Sequence, residues 1–430
     1  MEEKIYDLLI KNGHVIDAAN NIDEIMDVAV KDRKIAKVAK DIPESCAVQV
    51  ADAKGCYVTP GIIDIHAHVF VYPQQNMSVY PDSHMLKDGL TTVVDAGTIG
   101  WEHFPFFREH IIKNSQMRVL AFLNIADKGM VDWNAEQNPA TFHPGIAAEI
   151  AKEYSKEIVG IKAAHYWSGP MPYDKNHPAW ASADSAVEAG ELCNMPVMMD
   201  YQPNLPDSTY PDLILKHLRP GDIHTHVFAA HFPTVDKNGK VYDHMWKARE
   251  RGVFFDVGHG SGSFYFRNAI YAYRDGFPPD TISTDLHTSS IKGAALSMLH
   301  LMGKYVNMGM PIAEVVKRST YLPAKLINRP ELGTLTVGNC ADIAVIKEIP
   351  GDFDYIDVAR AKLKGKSMLQ CRLTVCQGDV TFDGFGMLSP LWEEAPEDYW
   401  KEPYLGDPDD DYLKLLNTTR EEYMKGVRKR

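Results

Sequence analysis

The sequence predicts an α/β protein: a (β/α)8 barrel carrying a small β-sandwich domain built from both chain ends. Three observations point there. Eight short apolar runs alternate with helix-length segments through the middle of the chain, strand-like texture recurs at both ends, and residues able to bind a metal or move a proton follow most of the runs.

At the N-terminal end, residues 6–10, 27–30 and 34–38 read as short strands separated by Asn-Gly and Asp-Arg turn signals. The same texture returns at 333–338, 341–346, 372–375 and 378–380. Residues 1–58 and 331–385 are therefore expected to assemble one β-domain. The runs between them lie at 62–65, 91–94, 119–123, 158–161, 196–199, 222–225, 253–257 and 281–284, and most gaps have room for a helix, as at 184–192 and 242–251. Strands alternating with helices imply a parallel sheet, and eight of them suggest closure into a barrel over 59–330. A doubly wound open sheet fits the same periodicity and is the competing fold. Residues 386–430 differ in character, with acidic clusters at 393–398 and 407–411 and a basic end. They read as a solvated extension with one helix near 411–425 that packs on a neighbouring subunit, so a homo-oligomer is expected.

Composition narrows the function classes. The chain is 45% hydrophobic and 24% charged, which is ordinary for a globular protein. No run approaches the roughly 20 apolar residues of a membrane helix, and the charged start reads as a strand, not a signal peptide. A formal net charge of −13 argues against nucleic acid as a partner and leaves a small-molecule substrate as the expected one. Six cysteines without a Cys-x-x-Cys pair read as reduced thiols and a cytoplasmic location.

In a parallel barrel all strand C-termini share one rim, where barrel enzymes keep their sites. His66 and His68 follow the first run, Lys162 the fourth, Asp200 the fifth, His226 the sixth, His259 the seventh and Asp285 the eighth. With 17 histidines, about one His-x-His pair is expected by chance, so His66-x-His68 and His224-x-His226 are weak evidence singly. Convergence of the whole set carries the weight. His224, one layer lower, reads as a barrel filler.

The run from Pro60 to His68, ending Asp64-Ile65-His66-Ala67-His68, resembles the first-strand signature of the amidohydrolase superfamily. Gly160-Ile161-Lys162, Thr225-His226, Gly258-His259-Gly260 and Thr284-Asp285-Leu286-His287 resemble its dihydroorotase-like branch, which includes deacetylases. The resemblance spans roughly residues 5 to 385 and leaves the tail unmatched. It implies two divalent metal ions, usually zinc. His66, His68 and Asp285 would hold one ion, and His226 with the fifth-strand residue would hold the other. Lys162, carboxylated by carbon dioxide, would bridge them, because an unmodified ammonium has no lone pair to offer a cation. It further implies a hydroxide between the ions as nucleophile, Asp285 as the catalytic proton carrier, and His259, His287 and Tyr166 as substrate contacts.

The fifth strand departs from the family, whose members end it in histidine where this chain has Asp200. A carboxylate can hold the second ion. The extra negative charge would neutralise the pair of ions and favour Mn²⁺ or Fe²⁺ over Zn²⁺. His165, Tyr166, Trp167, Tyr201 and His231 lie just past strand ends, as pocket lining or lid packing. Gly258-x-Gly260-x-Gly262 lacks the spacing of a dinucleotide loop, and no Gly-x-Ser-x-Gly elbow occurs. The expected activity is hydrolysis of an amide or ester carbonyl of a small acylated substrate, as in a deacetylase. Ring opening of the dihydroorotase or hydantoinase kind is the alternative, and a catalytically impaired homologue with a binding role is the third reading.

Overall fold

Alternation of apolar and polar side chains from Tyr6 onward produces β1 (Tyr6–Asp17), β2 (Ile22–Lys31) and β3 (Lys34–Ala39), paired antiparallel in that order. The β2–β3 turn places Asp32 and Arg33 at φ 48° and 64°, the left-handed backbone that a tight hairpin demands. β4 (Ala47–Asp52) and β5 (Tyr57–Pro60) both lie parallel to β1. The computed structural model that shows this describes residues 4–72, 77–131, 135–166, 178–202 and 208–400, with 419, 421, 424 and 425. Residues Met1–Phe385 form one compact unit and Gly386–Arg430 another. Most of the helix expected near 411–425, and Trp167, lie outside the described residues.

Gly61 carries the chain from β5 into the second sheet. A Cβ there would sit 2.1 Å from Thr91 Oγ1, so only glycine fits. β6 (Ile62–Ala67), β7 (Leu90–Gly100), β8 (Arg118–Asn124), β9 (Ile158–His165), β10 (Val197–Tyr201), β11 (Ile223–His224) and β12 (Phe254–Phe255) form a seven-stranded parallel sheet in chain order. Helices separate consecutive strands: α1 (Pro81–Met85), α2 (Phe104–His110), α3 (Pro144–Glu153), α4 (Ala181–Cys193), α5 (Tyr210–Asp212) and α6 (Asp243–Glu250), with α7 (Phe266–Arg274) after β12. The eighth run forms no regular strand. It nevertheless touches both edges of the sheet, through parallel bridges from Thr281 to Asp256 and from Leu286 to Ala67. Ile63, Ile65, Val94, Ala96, Leu120, Phe122, Val159, Met198 and Ile223, drawn from six successive strands, share one buried cluster with Ala324, Leu326 and Ile327. Apolar side chains from parallel strands thus fill the inside of the curl.

Past the sheet come α8 (Met298–Asn307), α9 (Ile312–Lys317) and α10 (Tyr321–Leu326), then β13 (Ile343–Ile356), β14 (Lys362–Cys376) and β15 (Asp379–Phe382). β13 pairs antiparallel with β5, so hydrogen bonds join the strands of both chain ends into one eight-stranded mixed sheet. The strand expected at 333–338 does not form. Asp17 Oδ2 accepts the Leu335 amide at 2.8 Å and Asn20 holds Thr334 and Thr336, so side chains replace the ladder.

Asp88, between α1 and β7, accepts a hydrogen bond from Ser297, and burial pushes its carboxyl up to about 6. A carboxyl raised on folding favours the protonated state, so the native state holds more protons than the unfolded chain between about pH 4 and pH 6. Stability should fall as pH rises through that window. Asp88→Asn should flatten the slope and raise the melting temperature at pH 7 by a few degrees. A melting-temperature series from pH 4 to 8 checks it, and an unchanged slope would refute the assignment.

Candidate active site

The strand ends bring six of the residues singled out above into one buried group. His66 and His68 lie at and just past the end of β6, Lys162 inside β9, Asp200 near the end of β10, His226 just past β11, and Asp285 in the segment linking both sheet edges. His226 and Asp285 have φ of 63° and 47°, backbone that L-residues with side chains rarely adopt. The Asp285 amide donates to the His66 carbonyl at 2.6 Å, which pins that turn to β6. Such strain costs on the order of 1–3 kcal/mol and is retained where a side chain must be aimed.

Each imidazole is oriented from behind. His66 Nδ1 is 2.8 Å from Thr225 Oγ1, and the Thr225 hydroxyl in turn donates a hydrogen bond to Asp256 Oδ2 at 2.8 Å. His68 Nδ1 is 2.7 Å from Thr98 Oγ1, and His226 Nδ1 donates to the Gly258 carbonyl at 2.6 Å. The Nε2 atoms are left facing carboxylates. Asp285 Oδ1 lies 3.7 Å from Nε2 of His66 and 3.0 Å from that of His68, and Asp200 Oδ2 lies 3.9 Å from that of His226. One ligand atom each of His66, His226 and Asp285 fall within 4.8 Å of one another. Lone pairs of rings and carboxylates converging this closely repel unless a cation lies among them, so the donor set fits a divalent metal.

Charge within the group follows from burial and neighbours. Burial and nearby Lys162 pull His66 down to about 4, which keeps the ring neutral and its lone pair available. Burial alone would raise Asp285, but His287, His66 and His68 hold it well below the usual carboxylate range. Asp200 is likewise lowered against burial, chiefly by His226 and Lys162. Lys162 is 4% exposed, and its Nζ has no hydrogen bond or ion pair among the described residues. Its stem packs on Gly97, where a Cβ would sit 2.4 Å from Lys162 Cγ.

The three residues expected to contact substrate are placed differently. His287 borders the group, its Nδ1 donating to the Asp285 carbonyl at 2.7 Å and its Nε2 lying 3.3 Å from Ser261 Oγ. Tyr166 donates its hydroxyl to Glu136 Oε2 at 3.1 Å. His259 is fully buried with both ring nitrogens taken by protein groups, Lys304 Nζ at 2.8 Å and the Gly260 carbonyl at 2.9 Å. Of the weaker candidates, His231 Nε2 donates to the Tyr201 carbonyl at 2.9 Å, and His165 stacks on Trp180. His224 packs among Tyr210, Phe232 and Phe255 as a core residue.

Sequence reasoning missed Glu136. It is buried, accepts from Asn124 Nδ2 at 2.8 Å and from Tyr166, and feels the charges of Lys162 and Asp200. It also missed the Thr225–Asp256 pair, Thr98 and Lys304. The position of Thr225 directly before His226 was the available signal for the first of these.

Comparison with known proteins gives a consistent picture. Residues 264–379 match the amidohydrolase family. A deacetylase of Brucella anthropi is 30% identical over 317 residues, 71% of this chain and 75% of that protein. A deacetylase of Agrobacterium fabrum is 31% identical over 317 residues, with 71% and 74% covered. Among solved structures, an adenine deaminase superposes with a TM-score of 0.79 at 28% identity, covering 88% of this chain and 100% of that one. A dihydroorotase follows at 0.73 and 26%, covering 87% and 98%.

Proposed function

The chain belongs to the amidohydrolase family and is a metal-dependent hydrolase, and we propose that it cleaves an amide or ester carbonyl of a small acylated substrate, in the manner of a deacetylase. The observation that carries this reading is the convergence of His66, His68 and His226 Nε2 atoms with Asp285 and Asp200 in one buried group beside Lys162. The parallel bridges from 281–286 to both sheet edges support reading the fold as a closed (β/α)8 barrel with this group at its C-terminal rim.

His66, His68 and Asp285 would hold one ion, His226 and Asp200 a second, and a carboxylated Lys162 would join them. Bound divalent ions supply an electrophile for the acyl oxygen and water of lowered pKa. The chain's own groups do the rest. Asp285, kept ionised chiefly by the neighbouring His287, takes the proton from water and returns it to the leaving nitrogen or oxygen. Thr225 and Asp256 keep the His66 ring in the tautomer that leaves Nε2 free. Asp200 adds a charge that a histidine would not, which favours Mn²⁺ or Fe²⁺ at the second position.

Metal analysis of protein purified without added metal should find two ions per chain. A strong chelator should abolish hydrolysis of acetyl esters and N-acyl amino acids, and added Mn²⁺, Fe²⁺ or Zn²⁺ should restore it. Full activity in metal-free protein would refute the reading, and one zinc with an empty second position would remove its two-metal part. The likeness to a dihydroorotase supports ring opening as a second reading. Competition between acyl and cyclic-amide substrates separates the two.

A further inference from the structure

Lys304 lies in α8 with no exposed surface. Its Nζ meets three acceptors: the Ala294 carbonyl at 2.6 Å, the Ile356 carbonyl at 2.7 Å and His259 Nε2 at 2.8 Å. The geometry fixes where the protons are. His259 Nδ1 faces the Gly260 carbonyl at 2.9 Å, and a carbonyl only accepts, so Nδ1 carries the proton of the neutral ring. Nε2 must then accept from Lys304, whose three ammonium protons are all used. Phe264 stacks on the ring with centroids 4.5 Å apart and completes the clamp. No nitrogen of His259 is left for a substrate.

What lies on either side of His259 gives the clamp its purpose. The Gly258 carbonyl receives the His226 Nδ1 proton at 2.6 Å. Gly260 lies so close to Asp285 that a Cβ would sit 2.2 Å from Oδ2. The amides of residues 258, 259 and 260 bond in turn to Ser283 Oγ, the Ser283 carbonyl and the Thr284 carbonyl, at 2.9, 3.2 and 2.9 Å. This three-residue segment therefore backs one member of each half of the proposed metal site. Glycine at 258 and 260, with φ of 46° and 51°, gives it no side chain of its own to anchor it. Beyond those backbone bonds His259 is the only side-chain anchor within it, and a buried ammonium is a costly way to hold a ring that an apolar neighbour could merely pack against.

We propose that Lys304 is a positioning residue that acts through His259: it locks the ring, and the locked ring fixes residues 258–260 so that His226 and Asp285 aim their donor atoms into the site. The proposal rests on the hydrolase reading for what the site does, not for how the segment is held.

The test uses the full chain loaded with metal. Lys304→Met removes the donor and His259→Leu removes the acceptor, whereas His259→Gln puts an amide oxygen near the position of Nε2 and keeps a partner for Lys304. The first two should lose about 100-fold in kcat with KM within about threefold, and should release metal to a chelator at least about tenfold faster. The Lys304→Met/His259→Leu double variant should be no worse than either single one, since both break the same link. His259→Gln should recover at least about tenfold of the His259→Leu loss. A His259→Gln variant with strongly raised KM, beside a Lys304→Met variant that turns over normally, would make His259 a substrate contact and overturn the proposal. Additive losses in the double variant would also overturn it. Amide hydrogen exchange at residues 258–260 reads the clamp without turnover and should quicken at least about tenfold in Lys304→Met, or in His259→Leu if Lys304→Met does not fold. Unchanged exchange in a folded variant refutes the proposal. Quickened exchange in a chain that hydrolyses nothing counts against the hydrolase reading alone.

Discussion

Asp285→Asn is expected to lower kcat by about 1,000-fold or more while the protein keeps its fold, because one group serves two roles. Asp285 Oδ1 lies 3.7 Å from His66 Nε2 and 3.0 Å from His68 Nε2, so it is the anionic member of that donor set. Its carboxyl is also held well below the usual carboxylate range, so it is ionised, as a proton acceptor needs to be at the start of a turnover. Asparagine has nearly the same shape and keeps the backbone N–H hydrogen bond to the His66 carbonyl, so the turn at φ 47° survives. Asparagine also tolerates left-handed backbone. The melting temperature of the metal-free protein should stay within about 5 °C of the parent, while metal content falls together with kcat. Turnover within tenfold of the parent would mean that another group carries the proton.

Gly260→Ala is the second substitution with a large expected effect, although residue 260 is not itself a proposed metal ligand. The added methyl would overlap Asp285 Oδ2 at 2.2 Å, and alanine at φ 51° adds on the order of 1–2 kcal/mol of backbone strain. The carboxylate must rotate or residues 258–260 must shift. A misplacement of about 1 Å at a reacting group costs roughly 100-fold in rate. Gly262→Ala is the control two residues on, because a Cβ there meets nothing within 4 Å. Kinetics and melting curves of the pair check the prediction. Equal activity in both would show that the carboxylate can yield at no cost.

The rim was legible because strand ends and chemistry coincide in the chain. His66, Lys162, Asp200 and His226 each sit at or beside an apolar run, and the parallel sheet aligns those runs. The last run, at 281–284, was legible as apolar sequence but not as what it became. With the residues up to Leu286 it meets each edge by one bridge, and backbone bonds from residues 257, 259 and 260 hold it together with hydroxyls: Thr281 and Ser283 donate to Asp256, and Thr284 to Asp64. Residues 333–338 alternated like a strand, yet Asp17 and Asn20, more than 300 positions earlier, took up their hydrogen bonds. Lys304 reads as a solvated lysine in any helical pattern. It is buried because acceptors 10, 45 and 52 positions away in the chain meet at its Nζ. Glu136 was silent for the same reason, since Asn124 and Tyr166 reach it from two different strand ends. Periodicity reports which face an element buries and is blind to partners that only the closed fold assembles.

The antiparallel pairing of β5 with β13 has a consequence for the order in which the protein can be made. Val58 meets Val345 and Pro60 meets Ile343, so two strands separated by the whole parallel sheet must find each other. During synthesis β1 to β5 emerge first and hold an open edge until residue 343 has left the ribosome. At about 5–20 residues per second that wait lasts on the order of 15–60 seconds. An exposed edge of this kind recruits other strands, so nascent chains should depend on holding chaperones through that interval and not afterwards.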